Sequence, residues 1–530
     1  MNKPKRIDLS QRELDALIER VEAGSLLDSD REIIKAMAET ISILSHAVDE
    51  KSASIRRLLK MIFGSGTEKT ASVLKNQEEE NALSEKDKED NKSESQDKVP
   101  PKGHGRNGAA SFSGADKVKI QHDTLQPKDK CPKCLKGKLY EVKTPKTLVR
   151  ITGKSPLHAT VFEMQKLRCN LCGEVFTAGS PSGIGEEKYD AESGAMIGLL
   201  KYGSGLPFNR LEQLQASLGV PLPASTQWDI LESVIDKIHP AFTEYQFQAA
   251  QGDVIYNDDT IMKILELMKE NKDASRKGMF SSGIVSTLAD RKIALFFTGR
   301  KHAGENLGDI LAKRKPGMKP PIQMCDALSR NSSNEFNTLL ANCLAHGRRN
   351  FVDIVWNFPE ECTHVLEELQ KVYKNDALAK QRNLTPDQRL AFHQQNSRPV
   401  MDDLKEWFGS QLEDKKVEPN SGLGKAITYM RKHWNELTLF LREPGAPLDN
   451  NLCERALKKA ILHRKNSLFY KTQHGAYVGD LFMSLIHTCN LCHVNPFDYL
   501  TQLQKHSSLL VKNPGQWMPW NYKKAIPPVP

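Results

Sequence analysis

The sequence predicts a multidomain α+β protein: an N-terminal coiled coil, a small metal-organised ribbon, an α/β core interrupted by a helical insertion, and a helical C-terminus. Three observations carry that prediction. Apolar residues step by three and four from Ile34 to Ile62, two CxxC pairs flank the 34 residues between Cys134 and Cys169, and β-rich words between 252 and 326 give way to a long helical stretch. A chain of 530 residues is too long for one ordinary core, so several domains are expected. With 39% hydrophobic and 27% charged residues it reads as soluble and globular with some disordered parts. No window approaches about eighteen unbroken apolar residues, so no membrane span is expected. The opening MNKPKRIDLSQRELD lacks the apolar centre of a secretory signal. A formal charge of +9 permits a nucleic-acid partner without demanding one.

Residues 1–75 form the coiled-coil region. Ile34, Met37, Ile41, Leu44, Val48, Ile55, Leu58 and Ile62 make an apolar seam with Lys51 as its one polar member, and the glycines of FGSGTEKT end the helix. Such a seam implies self-association as a dimer or higher; the alternative is an amphipathic helix packed on its own domain. Residues 76–114 are rich in mixed charge, then in Pro, Gly and Ser. They bury too little apolar surface to fold, which predicts a disordered linker.

Residues 115–180 hold CPKC (Cys131, Cys134) and RCNLCGEVF (Cys169, Cys172) around the β-rich words KTLVRIT and HATVFEMQKLRC. Four thiolates in two knuckles fit one tetrahedral, structural Zn²⁺, and ten cysteines used this way point to a reducing compartment. The ribbon's expected task is to hold a small β unit against DNA. Residues 181–245 read as helices around a Gly-containing turn, a weak helix-turn-helix signal. A third pair, Cys489 and Cys492, sits inside an apolar helix and reads as buried thiols.

The core is expected over 246–480. GDVIYNDDTIMKILEL reads as a strand with Asp258 and Asp259 near its middle, SSGIVSTLAD and RKIALFFTG as two more, and GENLGDILAKR as a helix. PPIQMCDALSRN is a short apolar run ending at Asp326; from Asn334 onward the chain reads as mostly helix, with an insertion at about 352–445 and a C-terminal helical element over 481–530. Glu454 lies near the start of a helix, where Asn451 offers itself as N-cap and Glu454 as its capping-box partner. A strand acid, a strand-tip acid and a helix glutamate are also the parts of a two-metal phosphoryl-transfer site. Converging carboxylates repel, and two Mg²⁺ or Mn²⁺ ions make the cluster favourable.

These words resemble a known family. NDDT (Asn257 to Thr260), MCD (Met324 to Asp326), CLAHGRRNF (Cys343 to Phe351), LDNNLCERALKKAILHRKNSLFY (Leu448 to Tyr470) and HGA (His474 to Ala476) are similar to those of insertion sequence 66 transposases, DDE-type recombinases with a ribonuclease H-like core. RRLLKMIFGSGTEK and the paired CxxC resemble the family's zipper end and zinc-finger region. The resemblance implies Asp258, Asp326 and Glu454 as catalytic metal ligands. It further implies that Arg348, Arg349, Arg455, Lys458, Arg464 and Lys465 lie against DNA phosphates. Asp259 stands where the family usually has Glu, so the first ligand is Asp258 or Asp259, with Asp258 favoured; Ala327 and Leu328 replace the usual Gly-Tyr. Cys343 and His346 form a C-x-x-H word, read as packed or DNA-facing in preference to metal-binding. The implied activity is cleavage at terminal inverted repeats to free 3′-hydroxyls, then their joining to target DNA. The enzyme would be cytoplasmic and nucleoid-associated, and two small accessory transposition proteins are implied partners. Two rivals remain, a catalytically inactive zinc-ribbon DNA-binding protein and a ribonuclease H-like nuclease that cuts without joining.

Overall fold

A computed structural model describes residues 187–270, 276–332 and 336–528, and before them 124–134, 136–140, 155–168, 175–179 and parts of 17–37. The seam beyond position 37, the linker and Cys169 and Cys172 lie outside the described residues. In the ribbon region, β1 (Lys166–Arg168) and β2 (Val175–Thr177) pair antiparallel, Lys166 opposite Thr177.

Between residue 190 and the sheet lie three α-helices, with a π-helical turn, Leu199–Gly203, after the first. α1 (Ala191–Gly198) is capped by Asp190, whose carboxylate accepts from Ser193 N at 2.8 Å. α2 (Phe208–Ser217) and α3 (Ala224–Ala249) follow, joined by a turn in which Gly219 takes φ +75°. The boundary expected at 245 falls inside α3. Leu231, Ile238, Phe242 and Tyr245 of α3 share one core with residues of the sheet.

The chain then lays down β3 (Val254–Ile261), α4 (Leu265–Glu270), β4 (Phe280–Leu288), β5 (Arg291–Gly299), α5 (Ala303–Leu311), β6 (Ile322–Cys325) and β7 (Leu339–Asn342). The sheet order is β5-β4-β3-β6-β7; β3, β4 and β5 form an antiparallel meander, and β6 and β7 continue parallel to β3. β7 is a short strand in a stretch that is otherwise mostly helix, as expected. Its four residues, LLAN, are too short to show a period, and its pairing with β6 makes it a strand.

After β7 come six helices: α6 (Leu344–Ile354), α7 (Pro359–Gln381), α8 (Pro386–Asn396), α9 (Arg398–Glu413), α10 (Gly422–Lys432) and α11 (Trp434–Leu437). They build a second core around Phe351, Leu369, Phe408, Ile427 and Met430, which also takes in Val254, Ile322 and Met324 of the sheet. Trp434 is buried there, and Trp356, Tyr373, Trp407 and Tyr429 pack against its rim. The chain returns to the sheet with α12 (Asn451–Ser467) and α13 (Gln473–Leu491), and ends in α14 (Pro496–Lys505), α15 (Ser507–Lys512) and α16 (Tyr522–Ala525).

The expected boundary at 480 falls inside α13, because that helix closes the sheet's open edge. An edge strand leaves a row of N–H groups unpaired. On β5 these are Ala294, Phe296 and Thr298, and they donate to Thr488 Oγ1 at 3.0 Å, Ser484 Oγ at 2.9 Å and Asp480 Oδ2 at 2.6 Å. The acceptors recur every four residues, one helical turn apart, so a single stripe of α13 satisfies every second residue of β5.

Candidate active site

β3 separates its two adjacent acids, because side chains alternate across a sheet. Asp259 turns to the start of α5 and is spent there: its side chain is 1% exposed and pairs with His302 Nδ1 and Arg330 Nη2, each at 3.2 Å. Asp258 takes the other face, and its Oδ1 accepts from Asp259 N at 2.8 Å. Parallel pairing sets Tyr256 beside Met324, so two residues further along each strand Asp258 stands level with Asp326. Asp326 follows the last residue of β6, and its Oδ1 accepts from Asn331 Nδ2 at 2.5 Å and Leu328 N at 3.2 Å.

Glu454 enters from α12. The helix begins at Asn451 with Asn450 as N-cap, whose side chain makes no capping bond, and Glu454 N donates to Asn450 O at 3.0 Å. The capping box expected between Asn451 and Glu454 is therefore absent. Asn450 is spent on tertiary contacts instead. Its Nδ2 donates to Asn257 O at 3.1 Å and its N–H to Cys343 Sγ at 3.2 Å, pinning the start of α12 to both β3 and the head of α6. Glu454 Oε1 lies 3.7 Å from His346 Nδ1.

One glycine decides how closely α12 approaches. Gly283 of β4 lies opposite Asp258 on the face that α12 covers, and a Cβ there would stand 3.0 Å from Leu457 Cδ2 and 3.4 Å from Cys453 Sγ. With no Cβ, the helix settles onto the sheet and Cys453 Sγ donates to Gly283 O at 3.2 Å.

The electrostatics register the convergence. Burial first, then the charge of Asp326, with smaller contributions from Asp259 and Glu454, push the Asp258 carboxyl up to about 7 against the Asp259 N–H that favours its ionised form. A polar lattice holds the loop after β6. Gln323 Nε2 donates to Asn257 Oδ1 at 3.0 Å and Asn331 O at 2.7 Å, Asn257 Nδ2 donates to Asn331 O at 2.8 Å, and Asn331 holds Asp326. Sequence reasoning missed Asn257, Gln323, Asn331, Asn450 and Gly283. A local hint was the polar Gln323 within the otherwise apolar β6.

The expected DNA contacts divide. Arg455, Lys458 and Lys465 are exposed on α12. Arg464 bonds Thr260 Oγ1 at 2.9 Å and Ile261 O, so it ties α12 to the end of β3. Arg349 is half-buried and Arg348 is 8% exposed on α6. In the ribbon region Cys131 N donates to Gly137 O at 2.8 Å and Gly137 N to Cys134 Sγ at 3.4 Å. The Gly137 and Lys136 N–H groups, with Cys131, hold the Cys134 thiol below its usual range. Cys489 is buried and Cys492 half-buried, as expected of packed thiols. Among the described residues no helix is long and apolar enough to cross a membrane.

Fold and site define a class first: α/β proteins that gather acids at one end of a mixed sheet from a central strand, the tip of its parallel neighbour and a covering helix. The chain belongs to the Transposase IS66 family, whose profile matches residues 188–478, more than half of its length. It is similar to three proteins of Sinorhizobium fredii (strain NBRC 101917 / NGR234). It is 32% identical to the uncharacterized protein y4jD over 37% of this chain and 39% of that one, so it spans about two fifths of that relative. It is 24% identical to y4hP over 77% of this chain and 76% of the relative, and 24% identical to y4qI over 62% of each.

Proposed function

We propose that this protein is a DDE-type DNA transposase that cleaves at the terminal inverted repeats of its element and joins the freed 3′-hydroxyls to target DNA. The reading is supported by family membership and by one observation above all: the half-buried Asp258 shares the fields of Asp326 and Glu454. The sheet supports a ribonuclease H-like core, since its strands, counted along the chain, lie in the order third, second, first, fourth, fifth.

The donor set fits hard divalent cations: three carboxylates, all offering oxygen ligands. Two Mg²⁺ or Mn²⁺ ions held by Asp258, Asp326 and Glu454 would sharpen water or a 3′-hydroxyl as nucleophile and stabilise the leaving oxygen. The protein's own part is positioning. Asn331 aims Asp326, Asn450 sets the start of the glutamate helix, and Asp259 is kept out of the cluster by His302 and Arg330. Arg455, Lys458 and Lys465 line the DNA path as phosphate contacts, Cys131, Cys134, Cys169 and Cys172 hold one structural Zn²⁺, and an N-terminal coiled coil brings two ends together. The enzyme works in the cytoplasm on nucleoid DNA, with small accessory proteins as partners.

The test is a mating-out count with a donor carrying the element's two ends around a marker, accessory genes supplied. The intact chain is expected to move the marker and Asp326→Ala to leave it at background. Equal movement by both would overturn the assignment.

A further inference from the structure

Asp258 is not the only group that Glu454 meets. Facing it are Cys343, the N-cap of α6, and His346, one turn into that helix. A ligand atom from each of Cys343, His346 and Glu454 lies within 4.8 Å of the others. Packing alone leaves two of these atoms unexplained. His346 Nδ1 and Glu454 Oε1 are shielded from solvent and have no hydrogen-bond partner, and buried polar atoms normally have one. Their separation of 3.7 Å is too long for a hydrogen bond and near the edge of a tetrahedron of zinc ligands, about 3.3 Å from the usual bond lengths. The third member is a thiol. Its sulfur accepts from the Asn450 N–H at 3.2 Å, a contact that also suits a thiolate.

We propose that Cys343, His346 and Glu454 form a site for one divalent cation of the zinc class. Thiolate, imidazole and carboxylate would hold it, with the fourth position open to water or a phosphate oxygen. The donor set decides the class. Mg²⁺ avoids sulfur and prefers all-oxygen octahedral surroundings, whereas Zn²⁺ and Co²⁺ accept mixed sulfur, nitrogen and oxygen ligands. On binding, the S–H bond of Cys343 breaks, sulfur bonds the cation and the proton passes to solvent. The site lies beside the all-carboxylate cluster and shares Glu454 with it. It does not rest on the strand-transfer reading, because occupancy is measured without DNA.

Cobalt titration of the full chain tests this, comparing the intact protein with Cys343→Ser and His346→Ala. The intact chain is expected to bind one Co²⁺ more than Cys343→Ser, and the difference spectrum to show a near-ultraviolet thiolate-to-cobalt band. That difference does not depend on how much cobalt the N-terminal cysteines take up. His346→Ala should weaken the same site at least about tenfold. Equal stoichiometry and spectra for all three chains would overturn the proposal and leave a histidine–carboxylate contact. If Cys343→Ser does not fold, His346→Ala decides, since its side chain is 27% exposed. An unchanged cobalt affinity there sinks the site.

Discussion

Asp258 and Asp259 show how much a single position along a strand decides. They are adjacent and chemically identical, yet one is neutralised by His302 and Arg330 while the other stands among acids. Asp258 has its folded pKa raised to about 7 from an ordinary 3.8, so its favourable contribution is complete below 3.8 and is lost as pH rises through 7. Asp258→Asn is therefore expected to stabilise the metal-free protein at pH 8 by on the order of 2–4 kcal/mol, with the gain vanishing near pH 4. Urea unfolding at the two pH values checks it, and a gain that persists at low pH would contradict the assignment. Gly283 belongs to the same scale. Gly283→Ala must move Leu457 by a few tenths of an ångström and shift α12 with it. The expected result is roughly a tenfold slower end cleavage with folding retained, restored in part by Leu457→Val. A rate unchanged from the intact chain would mean that the approach of α12 does not set the site.

Among the elements, α13 couples local pattern to tertiary need. Asp480, Ser484 and Thr488 look like ordinary polar interruptions of an apolar helix, and in the fold they become the hydrogen-bond acceptors of β5. Ser484→Ala removes the acceptor of Phe296 N–H in a buried place. The change is expected to cost about 1–3 kcal/mol in unfolding free energy, read as a lowered melting temperature. A loss below about 0.5 kcal/mol would show that Phe296 N–H finds another partner. The meander was legible because β4 and β5 are long, apolar and separated by a two-residue turn. β7 was not, since four residues carry no readable period and its identity comes from β6. α12 was legible as a helix but not in its cap: Asn450 and Asn451 are both good caps by type, and only the contacts to Asn257 and Cys343 choose between them.

Across the whole molecule, the sheet carries one core of flanking helices and a second built by the helices between β7 and α12, and the acids collect where the two adjoin. The exposed bases of α12 run from beside Glu454 toward the helix end. If they meet phosphates, Arg455→Ala, Lys458→Ala and Lys465→Ala should each weaken binding to the element ends about equally across sequences. Each should also lower the slope of log affinity against log salt by about 1. A gel shift over a salt series measures both, and an unchanged slope would remove the residue from the DNA path.

The sequence by itself determined the strands of the meander, the helical character of the chain around Glu454 and the family resemblance, because each is written in residues close along the chain. Only the tertiary structure decided which of two adjacent aspartates joins the cluster, why Gly283 has no side chain, and what Glu454 meets. The physical reason is separation. Asn257 bonds Gln323 and Asn450 across 66 and 193 residues, and no local pattern encodes a hydrogen bond between groups that only folding makes neighbours.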